Sequence, residues 1–254
     1  MQFRILGPVS VEVDGRVRPI PGVGQRTLLA ALLIGAGRLV PTDQLYAEIW
    51  GDDLPATVEN ALQAHVSRLR RTLRKLAGPG GEAPALITRS SGYVLDVAPQ
   101  DVDLVLFQED LAHARAVMAT DPSLAGDLLT AALSHWRGAP LQDVSPGPLC
   151  RSTALQLEEE SLAAREDLLW LGAHHQQPTA VIGELRRMSA AHPWRERLTG
   201  TLMVALYRSG RQAEAVQVYR AARKRLVDEL GMEPSPELTR VFHGVLNQDL
   251  ARTA

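Results

Sequence analysis

The residues best equipped for chemistry lie in one short run. From His65 to Lys75 the chain reads HVSRLRRTLRK, with Arg68, Arg70, Arg71, Arg74 and Lys75 and no acidic residue, a charge of +5 in eleven positions. Guanidinium groups make bidentate hydrogen bonds to phosphate oxygens and to base edges, which ammonium groups do not. At 100° per residue, Leu62, Val66, Leu69, Leu73 and Leu76 fall within about 80° of one another and form an apolar face. The opposite face carries Asn60, Gln63, Ala64, Ser67, Arg71 and Arg74, with Arg68 and Arg70 on its flanks. Amides, a hydroxyl and guanidinium groups are the donors and acceptors that read base edges and phosphates, and Ala64 leaves room for a thymine methyl. The plainer alternative is the solvated side of a basic surface helix. The neighbouring elements decide between the two.

Other reactive residues are scattered. His174 and His175 are adjacent, so on a helix they point about 100° apart, and neither they nor His192 or His243 have a carboxylate at metal-ligand spacing. Glu158-Glu159-Glu160 reads as a solvated acidic run. Cys150 follows Ser145-Pro146-Gly147-Pro148 with no histidine nearby in sequence to activate it. No GxxxxGK[ST] phosphate loop is present, so ATP hydrolysis is not expected. Neither an enzyme, a metal site nor a cofactor is expected.

The elements that must position the basic run are legible around it. Phe3, Ile5, Val9, Val11, Val13 and Val17 alternate about Gly7-Pro8 and Asp14-Gly15, which predicts short antiparallel strands joined by a hairpin. QRTLLAALLIGA, Gln25 to Ala36, predicts a first helix closed by Gly35 and Gly37. A second, short helix is capped by Thr42 and buries Leu45, Ile49 and Trp50. It ends at Gly51-Asp52-Asp53-Leu54-Pro55. Thr57 caps a third helix running to about Leu76, with Glu59 complementing its dipole and Gly78-Pro79-Gly80-Gly81 ending it. ALITRSSGYVLDV, Ala85 to Val97, predicts two strands around Ser90-Ser91-Gly92. A short helix, a tight turn, a polar helix and a β-hairpin make a winged helix-turn-helix, whose second helix enters the major groove while the wing reaches the minor groove. The fold class is an α+β winged helix-turn-helix domain followed by an all-α, tetratricopeptide-like domain.

Beyond Pro99 the periodicity is helical only, over about 103–119, 123–136, 151–173, 177–191, 194–208, 211–230 and 235–248. Laying Ala180 on Ala215 gives a 35-residue repeat, and Tyr207, Gly210, Ala215, Tyr219 and Ala222 fall where a tetratricopeptide helix pair places small and aromatic residues. The expected domains are 1–98 and 101–254. Charge follows the same division: residues 1–98 carry 11 basic and 9 acidic side chains, although the whole 254-residue chain has a net charge of -2. One cysteine excludes an internal disulfide, and no apolar stretch or amino-terminal pattern predicts a membrane span or signal peptide. A cytoplasmic, nucleoid-associated protein is expected.

NALQAHVSRLRRTLR followed by ITRSSGYVLDV resembles the winged-helix domain of response regulators. With ALSHWRGAPLQDV, ESLAAREDLLWLGAHH and LMVALYRSGRQAEAVQVYRAARKRLVDELGMEPSPEL, nearly the whole chain resembles the Streptomyces antibiotic regulatory protein family. The resemblance implies a DNA-binding domain joined to a bacterial transcriptional activation domain. It implies an activator that binds direct repeats of double-stranded DNA near the promoter -35 element and recruits RNA polymerase holoenzyme, including its sigma factor, to antibiotic biosynthesis genes. A direct repeat further implies a tandem homodimer on DNA. On this pattern Asn60, Gln63, Ala64, His65, Ser67, Arg68, Arg70, Arg71 and Arg74 line the groove-facing helix. Arg68 and Arg71 touch bases, and Arg70, His65 and Ser67 touch phosphates. Arg89 enters the minor groove beside Ser90, Tyr93 supports the wing, and Thr42 lies at the DNA backbone. Among the forms that the resemblance implies, the small two-domain one is expected, without a receiver before the winged domain or a nucleotide-binding domain after the helices. The alternative function is a non-DNA protein-interaction adaptor that keeps the winged-helix fold.

Overall fold

The computed structural model describes residues 1–35, 37–78, 81–145 and 147–249. Ala36, Pro79, Gly80 and Pro146, which belong to turns expected from the sequence, lie outside the described residues. Packing gathers the chain into two compact units, residues 1–116 with 127–162, and residues 117–126 with 163–254.

The first unit opens on an antiparallel sheet of β1 (Gln2–Arg4), β2 (Ser10–Val13) and β3 (Arg16–Pro19) in that order. Phe3 pairs with Val11, and both are buried with Ile5 and Val9. Val17 is 52% exposed, because β3 is the sheet edge and none of its side chains reaches the core. Asp14 and Gly15 join β2 to β3 with φ of 50° and 72°. A two-residue turn with both φ positive matches the twist of the strands, and an Asx-Gly pair adopts it at least cost. Three helices follow: α1 (Val23–Ile34), α2 (Thr42–Trp50) and α3 (Val58–Ala77). Every residue from Thr27 to Leu33 is buried, so α1 is the central core helix.

A second sheet has the order β4 (Val40–Pro41), β6 (Gly92–Asp96), β5 (Ala85–Arg89). The β5–β6 hairpin matches the sequence expectation, whereas β4 was not foreseen: two residues carry no alternation. Strand β4 also corrects the reading of Thr42. Pro41 is the N-cap of α2, Thr42 is already helical, and the Thr42 side chain makes no capping bond. Its backbone N–H instead donates to Ser91 O at 3.0 Å, tying the start of α2 to the wing turn. Thr57 does occupy the N-cap of α3, though without a side-chain capping bond.

After a 3-10 turn at Pro99–Asp101 come α4 (Asp103–Val117), α5 (Pro122–Ser134) and α6 (Pro148–Leu171). Three buried or half-buried acids tie this part of the chain into the first unit. Asp103 accepts from the backbone N–H of Ile5 at 2.9 Å and of Leu6 at 3.1 Å, and pairs with Arg137. Asp143 accepts from Val9 N at 2.8 Å and pairs with Arg26 at 3.1 Å. Glu48, 1% exposed, accepts from the N–H groups of Leu149 and Cys150 in the first turn of α6. Buried N–H groups at strand ends and helix starts need an acceptor, and carboxylates supply it with charge assistance.

In the second unit a π-helical turn, Gly172–Gln176, leads to α7 (Pro178–Ala191), α8 (Glu196–Arg208), α9 (Gln212–Arg225), a π-helical stretch Leu226–Leu230 and α10 (Pro236–Leu246). These spans follow the sequence periodicity closely. Residues Leu198 to Leu206 of α8 are all buried, because α7, α9 and α10 all pack on it. Tyr219 of α9 stacks on Phe242 of α10 at 3.9 Å. Ala215 is fully buried but Ala180 is exposed, so the 35-residue overlay is out of register at that pair. Among the described residues no helix is long and apolar enough to cross a membrane.

Candidate nucleic-acid interface

Helix α3 is amphipathic along its whole length, with Leu62, Val66, Leu69 and Leu73 buried. That burial fixes its rotation and turns Asn60, Gln63, Ala64, Ser67, Arg68, Arg71, Arg74 and Lys75 into solvent. Among the described residues no carboxylate pairs with Arg68, Arg71, Arg74, Lys75 or the wing's Arg89. Arg68 does donate from Nε to Ala64 O, 3.1 Å away one turn back, which orients its guanidinium along the helix.

Two residues expected on phosphates point elsewhere. Arg70 lies at the border between the apolar and polar faces. It donates from Nε and Nη2 to Leu86 O at 3.0 and 2.6 Å, and from Nη2 to Thr88 Oγ1 at 2.9 Å. It therefore acts as a strut from α3 to β5, setting the wing against the helix. His65 packs edge-on against Trp50, with ring centroids 5.6 Å apart, and closes on Gly24, where an added Cβ would come within 2.4 Å of the ring. Burial and, secondarily, the charge of Arg68 hold its pKa below the usual histidine value, so it favours the neutral form. A half-buried neutral imidazole is a poor phosphate ligand; its place is the junction of α1, α2 and α3.

In the wing, Arg89, Ser90 and Ser91 are exposed at the tip of the β5–β6 hairpin. Tyr93 is 8% exposed and paired with Val40, so it belongs to the support of the wing rather than its surface. Gly92 permits that pairing: a Cβ there would meet Val40 O at 2.1 Å. Thr42 is half-buried at the start of α2. The sequence reading missed Glu48, whose signal was a lone acid between the apolar Leu45 and Ile49. It also missed the bond from Thr72 Oγ1 to Gln25 Oε1, 3.1 Å, between α3 and α1.

The reactive residues elsewhere are held in place by ordinary packing. Burial, then the neighbouring Glu48, pushes the Cys150 thiol far up, away from the thiolate a nucleophile needs. His174 stacks on Trp170 at 4.3 Å and bonds to its carbonyl. Among the described residues no group of three or more His, Cys, Asp or Glu side chains is arranged to hold a metal ion.

Residues 102–246 match the family described as bacterial transcriptional activator domain, and residues 23–95 match transcriptional regulatory protein, C terminal. The chain is 40% identical over 249 residues to the transcriptional regulator RedD of Streptomyces coelicolor, covering 98% of this chain and 71% of RedD. It belongs to the Streptomyces antibiotic regulatory protein family of transcriptional activators. The regulatory protein DnrI of Streptomyces peucetius is 36% identical, with 98% of this chain and 93% of DnrI covered. Among solved structures, Mycobacterium tuberculosis EmbR in complex with a low affinity phosphopeptide superposes with a TM-score of 0.87 at 32% identity, over 97% of this chain and 65% of that one. Within the family's first domain, the match begins at α1 and ends in β6, so it contains both α3 and the wing that Arg70 braces.

Proposed function

We propose that this family member activates transcription by binding direct repeats of double-stranded DNA near the promoter -35 element and recruiting RNA polymerase holoenzyme to antibiotic biosynthesis genes. The observation that carries the reading is the solvent face of α3, where amide, hydroxyl and arginine side chains stand together and, among the described residues, no carboxylate pairs with its arginines. In this reading Arg68 and Arg71 touch bases, with Asn60, Gln63 and Ala64 beside them. Ser67, Arg74 and the Thr42 hydroxyl hold phosphates, and Arg89 with Ser90 enters the minor groove, whose narrow A·T-rich form concentrates negative potential. Arg70, His65 and Tyr93 serve as supports. Tandem half-sites place two copies head to tail rather than across a twofold axis, and the helices of the second unit supply the surface for the partner copy and the polymerase.

The test is a titration of a labelled direct-repeat promoter duplex against the protein at increasing salt. Each phosphate contact releases counterions, so log K should fall linearly with log salt, with a slope of about -0.9 per contact. A flat salt response, or equal affinity for a scrambled duplex, removes the DNA-reading function and favours the adaptor. Recruitment is checked separately by transcription with purified holoenzyme: product independent of the protein removes that step.

A further inference from the structure

The second unit contains a cavity of about 550 Å³ that includes none of the residues assigned to DNA contact. Its floor is α8, through Gly200 and Val204. One wall is Trp170 with His174, and the other is Leu238 with Val241 from α10. The volume falls in the range of small-molecule sites, which are mostly apolar with few polar groups.

Two features separate it from a packing defect. Glycine weakens a helix interior, and here packing does not require one: a Cβ on Gly200 would meet only Leu238 Cδ1 at 3.7 Å and Val241 Cγ2 at 3.8 Å, ordinary contact distances. What the glycine preserves is room. The second feature is charge. Two charges of the lining have ion-pair partners, Arg197 with Asp167 at 2.6 Å and Glu237 with Arg240 at 2.8 Å, while the Glu196 carboxylate is tied to the start of α10 by accepting from Ser235 N at 2.7 Å. Arg208 differs. Its Nη1 donates to the Ala173 and His174 carbonyls in the π-helical turn, and among the described residues its other nitrogens make no hydrogen bond and it has no carboxylate partner. The turn thus holds an uncompensated cation beside the flat pair of Trp170 and His174, whose rings stack at 23°.

We infer that this cavity binds a flat, largely apolar organic anion, its ring system against Trp170 and its acidic group on Arg208. Aromatic faces favour stacked conjugated rings, and a guanidinium held by backbone carbonyls is already oriented for an oxyanion. Burial holds His174 below its usual pKa, so Arg208 is the cation that selects the charge.

The experiment uses the whole chain without DNA, so its outcome is independent of the DNA-reading proposal. Two fluorescent probes of the same shape are titrated: anilinonaphthalene sulfonate, which is anionic, and N-phenylnaphthylamine, which is neutral. One saturable site per chain is expected, about tenfold tighter for the sulfonate, as one charge-assisted hydrogen bond contributes. Val204→Trp, which fills the floor, should abolish both. Arg208→Met should erase the preference while the neutral probe still binds, and Arg208→Lys should restore part of it. Gly200→Ala, which favours the helix and narrows the cavity, should weaken both probes severalfold without lowering the melting temperature. It decides the matter if Val204→Trp does not fold. Binding unchanged in Gly200→Ala, or a sulfonate preference that survives Arg208→Met, overturns the assignment.

Discussion

The two regions richest in arginine use it in opposite ways. On α3 and the wing, Arg68, Arg71, Arg74 and Arg89 extend into solvent, and among the described residues none has a carboxylate partner. In the second unit Arg195 faces the buried Glu166 at 3.1 Å, Arg197 faces Asp167, Arg186 and Arg211 share Glu214, and Arg223 pairs with Glu233. The net charge of -2 is therefore a poor guide to partners. Glu166, Asp167, Glu214 and Glu233 of the second unit are held in local pairs, whereas the cations of α3 keep their field. A phosphate backbone responds to the local unpaired charge, not to the total over the chain.

This contrast can be broken at its centre by giving α3 an acid. Ala64→Glu places a carboxylate one turn before Arg68, where it pairs with the guanidinium and repels phosphate. Affinity for a direct-repeat duplex should fall by about 100-fold or more, since cation contacts are lost and repulsion is gained, with an unchanged circular dichroism spectrum because residue 64 is exposed. Retained affinity would remove the exposed face of α3 from the interface.

The converse change, Arg195→Ala with Arg197→Ala, withdraws two cations from carboxylates whose side chains are only 6% and 9% exposed. Uncompensated buried charge is strongly unfavourable, so urea unfolding should show a loss of about 3 kcal/mol. DNA affinity of the folded protein should be unchanged. A DNA defect equal to that of an α3 variant would erase the division of labour.

Single removals on the free side should cost less. Arg71→Ala is expected to weaken binding by about 1–3 kcal/mol and to relax preference at one base position. Arg89→Ala should lose about 1 kcal/mol, mainly on A·T-rich wing sites. Footprints and salt slopes measure both, and an unchanged wing footprint would take Arg89 out of the groove.

The smallest effect is a pH dependence at the base of α3. His65 has a folded pKa below its unfolded value near 6.5, so the unfolded chain takes up the proton first as pH falls. Its contribution to stability is complete above about pH 6.5 and is lost progressively below it. His65→Phe, which keeps a ring against Trp50, should flatten the urea midpoint between about pH 7.5 and 5.5. An equally steep loss in the variant would show that other groups govern the acid limb.

Much of this was written in local pattern. The apolar stripe of α3, the Asp14-Gly15 turn, the Ser90-Ser91 wing tip and the helical spans after Pro99 each follow from residues a few positions apart. What failed depended on residues far apart. Arg70 sits at the edge of the polar face, and only the approach of β5 reveals Leu86 O as its acceptor. His65 reads as one more basic residue until Trp50 and Gly24 close over it. Strand β4 is too short to have a period, and Glu48 gains its meaning from the start of α6, about a hundred residues away.

The sequence alone determined which helix would present arginine, because 3.6-residue periodicity and the absence of acids between His65 and Lys75 fix an apolar face and a cationic one before any tertiary contact forms. Tertiary structure alone decided which arginines remain free. A guanidinium binds whichever oxygen lies within reach, and whether that oxygen belongs to Leu86, to Glu166 or to a partner is set by how distant segments pack.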